Sequence, residues 1–203
     1  MNKEKTLENL KKRGYEALYF ETGKEAIAYM AEQVKGKTIG IGGSMTVKEL
    51  GLEQTLGENN TIYWHWNPTQ VEKNGEKAVR NLAETTDVYI SSVNALAETG
   101  EIINIDGTGN RIASIAYGHD TLYLIAGKNK VAENMEAAMW RARNVAAPKN
   151  AQRLNKKTPC AVRADKCYDC DSPERICRGF LTLERAMKGM KTVVILIGED
   201  FGM

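Results

Sequence analysis

Strand-length apolar runs alternate along this chain with capped, helix-length segments, and that alternation restricts its fold more than any other feature. KTIGIGGS reads as a short buried strand entering a glycine turn, and TIYWHW (61–66), DVYISS (87–92), TLYLIAG (121–127) and TVVILIG (192–198) are further β-rich runs. Residues 3–13 read as a polar leading helix. Thr22 with Glu25 three residues on signals the start of a second helix, expected to end near Gly36. Thr46 with Glu49, and Thr69 with Glu72, predict further capped helices, the latter running to about Leu82. Val131, Met135, Ala138, Met139 and Ala142 sit at helical spacing within 131–145. Strands alternating with helices predict an α/β fold with a mostly parallel sheet flanked by helices.

The 203 residues fit one domain, 1–203, with 42% hydrophobic and 27% charged residues, enough for a packed core. A net charge of +2 supplies no field that would attract nucleic acid, so none is expected as a partner. The first twenty residues mix charges throughout and hold no signal-peptide block, and TVVILIG is far shorter than the roughly 20 apolar residues of a membrane span. A soluble, cytoplasmic protein without a membrane span is expected.

Pro148 to Arg178 breaks the alternation and is read as a loop insertion or lid. It holds three of the four prolines and all four cysteines. Cys160, Cys167, Cys170 and Cys177, in segment 158–178, have the spacing C-x6-C-x2-C-x6-C. A central C-x2-C lets two thiolates share one centre, and six-residue loops are long enough to return a third and fourth. Arg163, Lys166, Arg175 and Arg178 would offset the charge of such a site. The expected cofactor is a metal centre held by these cysteines, an iron-sulfur cluster slightly ahead of zinc. Disulfides, a Cys167–Cys170 redox pair and unligated thiols are the alternatives, with disulfides disfavoured in a cytosolic chain.

Gly42, Gly43 and Ser44 follow a predicted strand and precede a predicted helix, a setting in which backbone N–H groups can face an anion. A tight turn that needs glycine geometry is the competing reading. Met45 stands where a dinucleotide fingerprint needs its third glycine, and no Gly-Lys-Ser/Thr follows, so there is neither an NAD nor an ATP motif.

NALAETGEIINIDGTGNR (94–111) raises a second pair of readings. Asn94 lies just past the carboxyl end of a predicted parallel strand, the edge at which open α/β sheets bind ligands. Asp106, Gly107, Thr108, Gly109, Asn110 and Arg111 form a polar turn ending in a cation, and Glu98 and Glu101 are candidates for acid, base or nucleophile. The alternative is a β-hairpin at ETGEII followed by a glycine turn and a solvated arginine, which composition alone favours. His65 and His119 have no ligand set beside them and are read as strand-end or turn residues. Trp64, Trp66 and Trp140 are expected in the core, and Arg141, Arg143 and Arg153 either line an anionic pocket or form a solvated helix face.

SVNALAETGEIINIDGTGNR, followed by a strand and AGKNKV, resembles the lactate-utilisation (LUD) domain family, and the likeness extends to GIGGSMT and RARNVAAPKNAQRL. CAVRADKCYDCDSPERIC resembles the cysteine segment of small single-domain members. The resemblance implies a fold similar to ribose-5-phosphate isomerase, glucosamine-6-phosphate deaminase and the CoA-transferases, which place anionic substrates over glycine loops at one sheet edge. In CoA-transferases a glutamate in a Glu-x-Gly-like turn is the nucleophile, and Glu98-Thr99-Gly100 is the local counterpart, which makes Glu98 the implied catalytic residue. The family is associated with oxidation of lactate to pyruvate in multi-subunit iron-sulfur systems, yet this chain lacks paired ferredoxin motifs. The implied role is a component of 2-hydroxy-acid oxidation that binds a small anionic metabolite and docks on partner subunits or a second copy of itself. An isomerase or transferase with a structural zinc, and a non-enzymatic sensing or docking module, are the other two readings.

Overall fold

The apolar runs form the middle of one parallel sheet. The computed structural model describes residues 1–203. It begins with α1 (Lys3–Lys12), β1 (Glu16–Phe20), α2 (Gly23–Gln33), β2 (Thr38–Ile41), α3 (Met45–Glu49), α4 (Leu52–Gly57) and β3 (Thr61–Trp64). Then come α5 (Pro68–Asn74), α6 (Glu76–Ala83), β4 (Val88–Ser92), β5 (Ala95–Ala97), β6 (Ile102–Asp106), α7 (Asn110–Ala116) and β7 (Thr121–Gly127). The chain continues through β8 (Val131–Ala132), α8 (Met135–Arg141), α9 (Ala147–Arg153), α10 (Pro159–Arg163), β9 (Gly179–Leu183) and β10 (Lys191–Ile197).

Six strands in the order β1-β10-β7-β4-β2-β3 pair in parallel throughout. Strands of such a sheet are buried on both faces, which explains why β7 and β10 read as unbroken apolar runs. Val193, Ile195 and Ile197 of β10 join one core with Met30, Ile41 and Trp64, while Val194 and Leu196 point into a second core with Leu10 and Tyr89. The α/β architecture with flanking helices is therefore as expected.

A second sheet, β8-β5-β6-β9, was not foreseen as a unit. β6 pairs antiparallel with both β5 and β9, so ETGEII is indeed the turn of a hairpin. Its apolar residues Ala95, Ala97, Ile103 and Ile105 pack on Ala138 and Ala142 of the helix that follows β8.

Local signals fared unevenly. The Thr22–Glu25 capping box is present in both directions, and α2 stops at Gln33, three residues short of Gly36. Ser44, not Thr46, caps α3 by accepting from the Val47 N–H, which leaves Thr46 inside the helix. Asn67 rather than Thr69 caps α5, with Pro68 at the first helical position, and Gly75 at φ +81 divides the expected helix into α5 and α6. The loop expected from Pro148 begins later. A π turn, Ala142–Ala146, joins α8 to α9 just ahead of Pro148, whose ring lacks an N–H and would meet the carbonyl four residues back in a regular helix. The segment 158–178 has one short helix, α10, and otherwise follows an irregular path into β9. Trp140, expected in the core, is 61% exposed. No helix is long and apolar enough to cross a membrane.

Candidate functional site

The carboxyl ends of β2, β4 and β7, neighbours in the parallel sheet, deliver Gly42–Ser44, Ser92–Asn94 and Lys130 to one edge. This is the edge at which open α/β sheets hold ligands. A cavity of about 460 Å³ opens there, bounded on the other side by α9 and by residues 173–178 of the cysteine segment. Gly43, Ser44, Asn94, Asp106, Gly107, Thr108, Asn110 and Arg111 all line it. Gly42 lies behind the wall, where a Cβ would come within 2.8 Å of the Tyr89 hydroxyl and 3.1 Å of Arg111 Cγ. Glycine is needed there for close approach. Gly109, at φ +99, precedes α7 and is not part of the lining.

The two ends of the 94–111 stretch do different work. At the hairpin turn, Glu98 accepts from the Asn2 N–H at 2.6 Å and lies 3.6 Å from the Lys5 ammonium, while Asn9 donates to its carbonyl. Arg13 pairs with Glu101 and donates through Nε to the Thr99 carbonyl at 2.7 Å. Both glutamates thus fasten α1 to the hairpin, and neither lines the cavity. The nucleophile implied for Glu98 by likeness to CoA-transferases has no access to the cavity in this arrangement.

At the other end, Asp106 accepts from the N–H groups of Gly107, Thr108, Arg111 and Ile112, which shapes the glycine turn and starts α7. The Arg111 guanidinium donates to Asn104 Oδ1 at 2.8 Å, to Asn94 Oδ1 at 3.1 Å and to the Ile105 carbonyl. Asn94 Oδ1 also accepts from the Ile105 N–H, and Arg141 donates to the Asn94 carbonyl. Arg111 is therefore largely occupied in holding β4, β6 and α7 together. Burial pulls its pKa down while Asp106 opposes the shift.

The cavity is strongly basic. Arg80, Arg111, Lys130, Arg153, Lys156, Arg175 and Arg178 line it against two acids, Asp106 and Glu174. Both acids are engaged, Asp106 as described and Glu174 by the Lys157 N–H at 2.6 Å. Arg153 stacks 4.9 Å over Trp66 at the mouth. Arg141, by contrast, is structural, and Arg143 lies 4.9 Å over the Phe180 ring outside the lining.

His65 and Lys130 are lining residues the sequence reading did not select. His65 is 9% exposed, its Nδ1 has no partner, and burial lowers its pKa, with Arg80 adding to the shift. Lys130 is 4% exposed, and burial pushes its ammonium pKa down to about 7, helped by Arg141 and Arg111. The sequence signal for Lys130 was its place just beyond an apolar strand, within AGKNKV. His119 is also buried, but its Nδ1–H donates to the Thr86 carbonyl, its ring stacks on Tyr89 and it lies away from the lining.

The four cysteines are half-buried and unpaired. Cys167 Sγ accepts from the Asp169 N–H at 3.3 Å, with Asp169 at φ +44. No three Cys, His, Asp or Glu side chains converge where they could hold one ion. The donor chemistry suits a metal and the arrangement does not, so no chemistry is assigned to a cluster here.

The family model of the LUD domain matches residues 3–197. The chain belongs to the LUD domain family. That makes it a lactate-utilisation-related protein. A DUF162 family protein from Deinococcus radiodurans shares the fold at TM-score 0.51 and 10% identity, over 96% of this LUD chain and 99% of the other. Ribose 5-phosphate isomerase A from Neisseria gonorrhoeae aligns at TM-score 0.35 and 18% identity, over 56% of this chain and 54% of its own. The isomerase A of Methanocaldococcus jannaschii aligns at TM-score 0.33 and 17% identity, over 66% and 57% respectively. No curated protein matches the sequence. Within this LUD domain, the motif that carried the resemblance is the one whose ends organise the cavity wall and the α1 clamp.

Proposed function

We propose that this LUD domain protein binds a small, multiply charged anion, a carboxylate or phosphorylated metabolite, in the cavity at the carboxyl edge of β2, β4 and β7. One observation carries the reading: seven basic side chains line the cavity against two acids, and of the seven only Arg80 and Arg175 have an acidic partner outside the lining, Glu76 and Asp169. An anionic guest supplies the missing negative charge, and its attraction is strengthened by partial exclusion of water. Asn94 and Arg111 hold the wall in shape. Arg80 is paired with Glu76, while Arg153 has only the neutral partners Asn150 and Trp66, which leaves its charge uncompensated.

Family membership narrows the proposed ligand to the acids of lactate metabolism, with the protein serving as a component of 2-hydroxy-acid oxidation beside partner subunits. Burial lowers the pKa of both His65 and Lys130, the latter to about 7, which makes them the lining groups placed to exchange a proton with a guest. The test is calorimetric titration of lactate, pyruvate and inorganic phosphate into wild type and Arg153→Ala. Binding is expected for at least one of them, weakened about tenfold in the variant and further by raising salt from 50 to 500 mM. Heats that are absent for all three, or indifferent to both Arg153 and salt, would remove the anion-site reading.

A further inference from the structure

Lys130 occupies an unusual position for a lysine. It ends a 3-10 turn, Lys128–Lys130, directly after the central strand β7, and its side chain runs inward to the cavity wall. Nζ donates to Thr46 Oγ1 at 2.8 Å and to Ser92 Oγ at 2.6 Å. Both hydroxyls direct their own protons elsewhere: Ser92 to Thr46 Oγ1 or the Val93 carbonyl, and Thr46 to the Phe201 carbonyl. They therefore serve Lys130 as acceptors only. Gly202 closes the other side, so tightly that a Cβ there would stand 2.5 Å from Thr46 Oγ1 and 3.1 Å from Nζ.

A buried ammonium ordinarily needs a carboxylate partner. Here the charged groups acting on Nζ are Arg141 and Arg111, both unfavourable to a cation, and Glu49, whose influence is the smallest and whose Oε2 accepts from the Gly202 N–H. A neutral amine has two N–H donors and one lone pair. Thr46 and Ser92 take both donors, and the lone pair is left for the cavity. Desolvation beside other cations is a recognised way to make a lysine nucleophilic.

We propose that Lys130 is the reactive amine of this cavity and condenses with the carbonyl carbon of a small oxo-anion, a 2-oxo acid or a phosphorylated aldehyde or ketone. This rests on the anion-site reading, which supplies the charge that draws the guest in. The nitrogen lone pair forms the C–N bond, and one amine proton passes to the carbonyl oxygen to give the carbinolamine. The second amine proton leaves with that oxygen as water, giving a neutral imine. No oxidant or reductant enters the step.

Wild-type protein incubated at pH 7.5 with pyruvate, or separately with glyceraldehyde 3-phosphate, and then reduced with cyanoborohydride tests this by intact mass and peptide mapping. A single adduct on Lys130, at least tenfold above any other lysine, is expected in one arm, and the arm that traps tells carboxylate from phosphate. It should vanish in Lys130→Met and persist in Lys128→Met. Binding of pyruvate and inorganic phosphate is measured calorimetrically on the same samples. Anion binding without a Lys130 adduct in either arm would overturn this proposal and leave the anion site standing. Neither binding nor adduct would overturn both. Adducts spread evenly over surface lysines would likewise assign no reactivity to Lys130.

Discussion

At the cavity wall the Arg111 guanidinium is spent on the protein's own oxygens, while the Lys130 amine is buried against two hydroxyls. Asn94 and Arg111 are legible through the resemblance to the LUD family, since composition alone favours a hairpin, a glycine turn and a solvated arginine there. What the sequence did not disclose is that Arg111 binds the protein's own Asn94, Asn104 and Ile105. Lys130 is illegible because a lysine after a strand resembles any solvated end charge. Only the fold encloses it with Thr46, Ser92 and Gly202, which are far away in sequence. That enclosure has a measurable consequence. With its folded pKa near 7, Lys130 is neutral in the native protein but protonated in the unfolded chain from about pH 7 to about 10.4. The unfolded state then binds more protons, so stability rises with pH across that window and is flat below it. Urea unfolding of wild type and Lys130→Met should show the wild type gaining on the variant between pH 7 and 10, by on the order of a few kcal/mol at about 1.4 kcal/mol per unit of pKa. Parallel profiles would mean the ammonium keeps its ordinary pKa.

Among the elements, the long apolar strands were legible because burial on both faces of a parallel sheet demands unbroken β-rich runs. β9 was not, since GFLTL is partly exposed, follows the cysteine segment and takes its register from β6, not from its own pattern. Helix starts differ from expectation where a better cap stands two residues earlier: Ser44 ahead of Thr46, Asn67 ahead of Thr69. The hairpin shows how one motif can serve two elements. Its turn carries Glu98 and Glu101 to α1, while its strands end at Asp106 in the cavity. Glu98→Gln is accordingly expected to weaken the hold on α1 by about 1 kcal/mol, because its Lys5 partner is exposed and the Gln Oε1 can still accept from the Asn2 N–H. Anion binding in the cavity should be unchanged within twofold. A large loss of affinity or turnover in Glu98→Gln, with stability intact, would restore this glutamate to the site.

For the molecule as a whole, the cavity matters because the cysteine segment is one of its walls. Arg178 donates its N–H to the Asp106 carbonyl, and Gly107 sits so close to the Ile176 carbonyl that a Cβ would come within 2.8 Å. Arg175 lines the cavity and donates to the carbonyls of Cys170 and Cys177. The C-x6-C-x2-C-x6-C spacing argues for a shared four-thiolate centre, whereas the folded side chains do not converge. Bringing four sulfurs onto one ion would therefore repack the loops that Arg175 and Arg178 brace. Any such rearrangement acts on the anion site, and by linkage an anion must alter metal affinity by the same factor. If anaerobically purified protein carries iron with sulfide, or a single zinc, and loses it in Cys170→Ser, the segment has repacked to bring its sulfurs together. Stripping that metal with a chelator should change the calorimetric affinity for inorganic phosphate by about fivefold or more. Equal affinity before and after stripping would make the segment a passive wall. If neither iron nor zinc accompanies the anaerobic protein, the spacing has no metal to explain it, and the basic cavity stands on its own side chains.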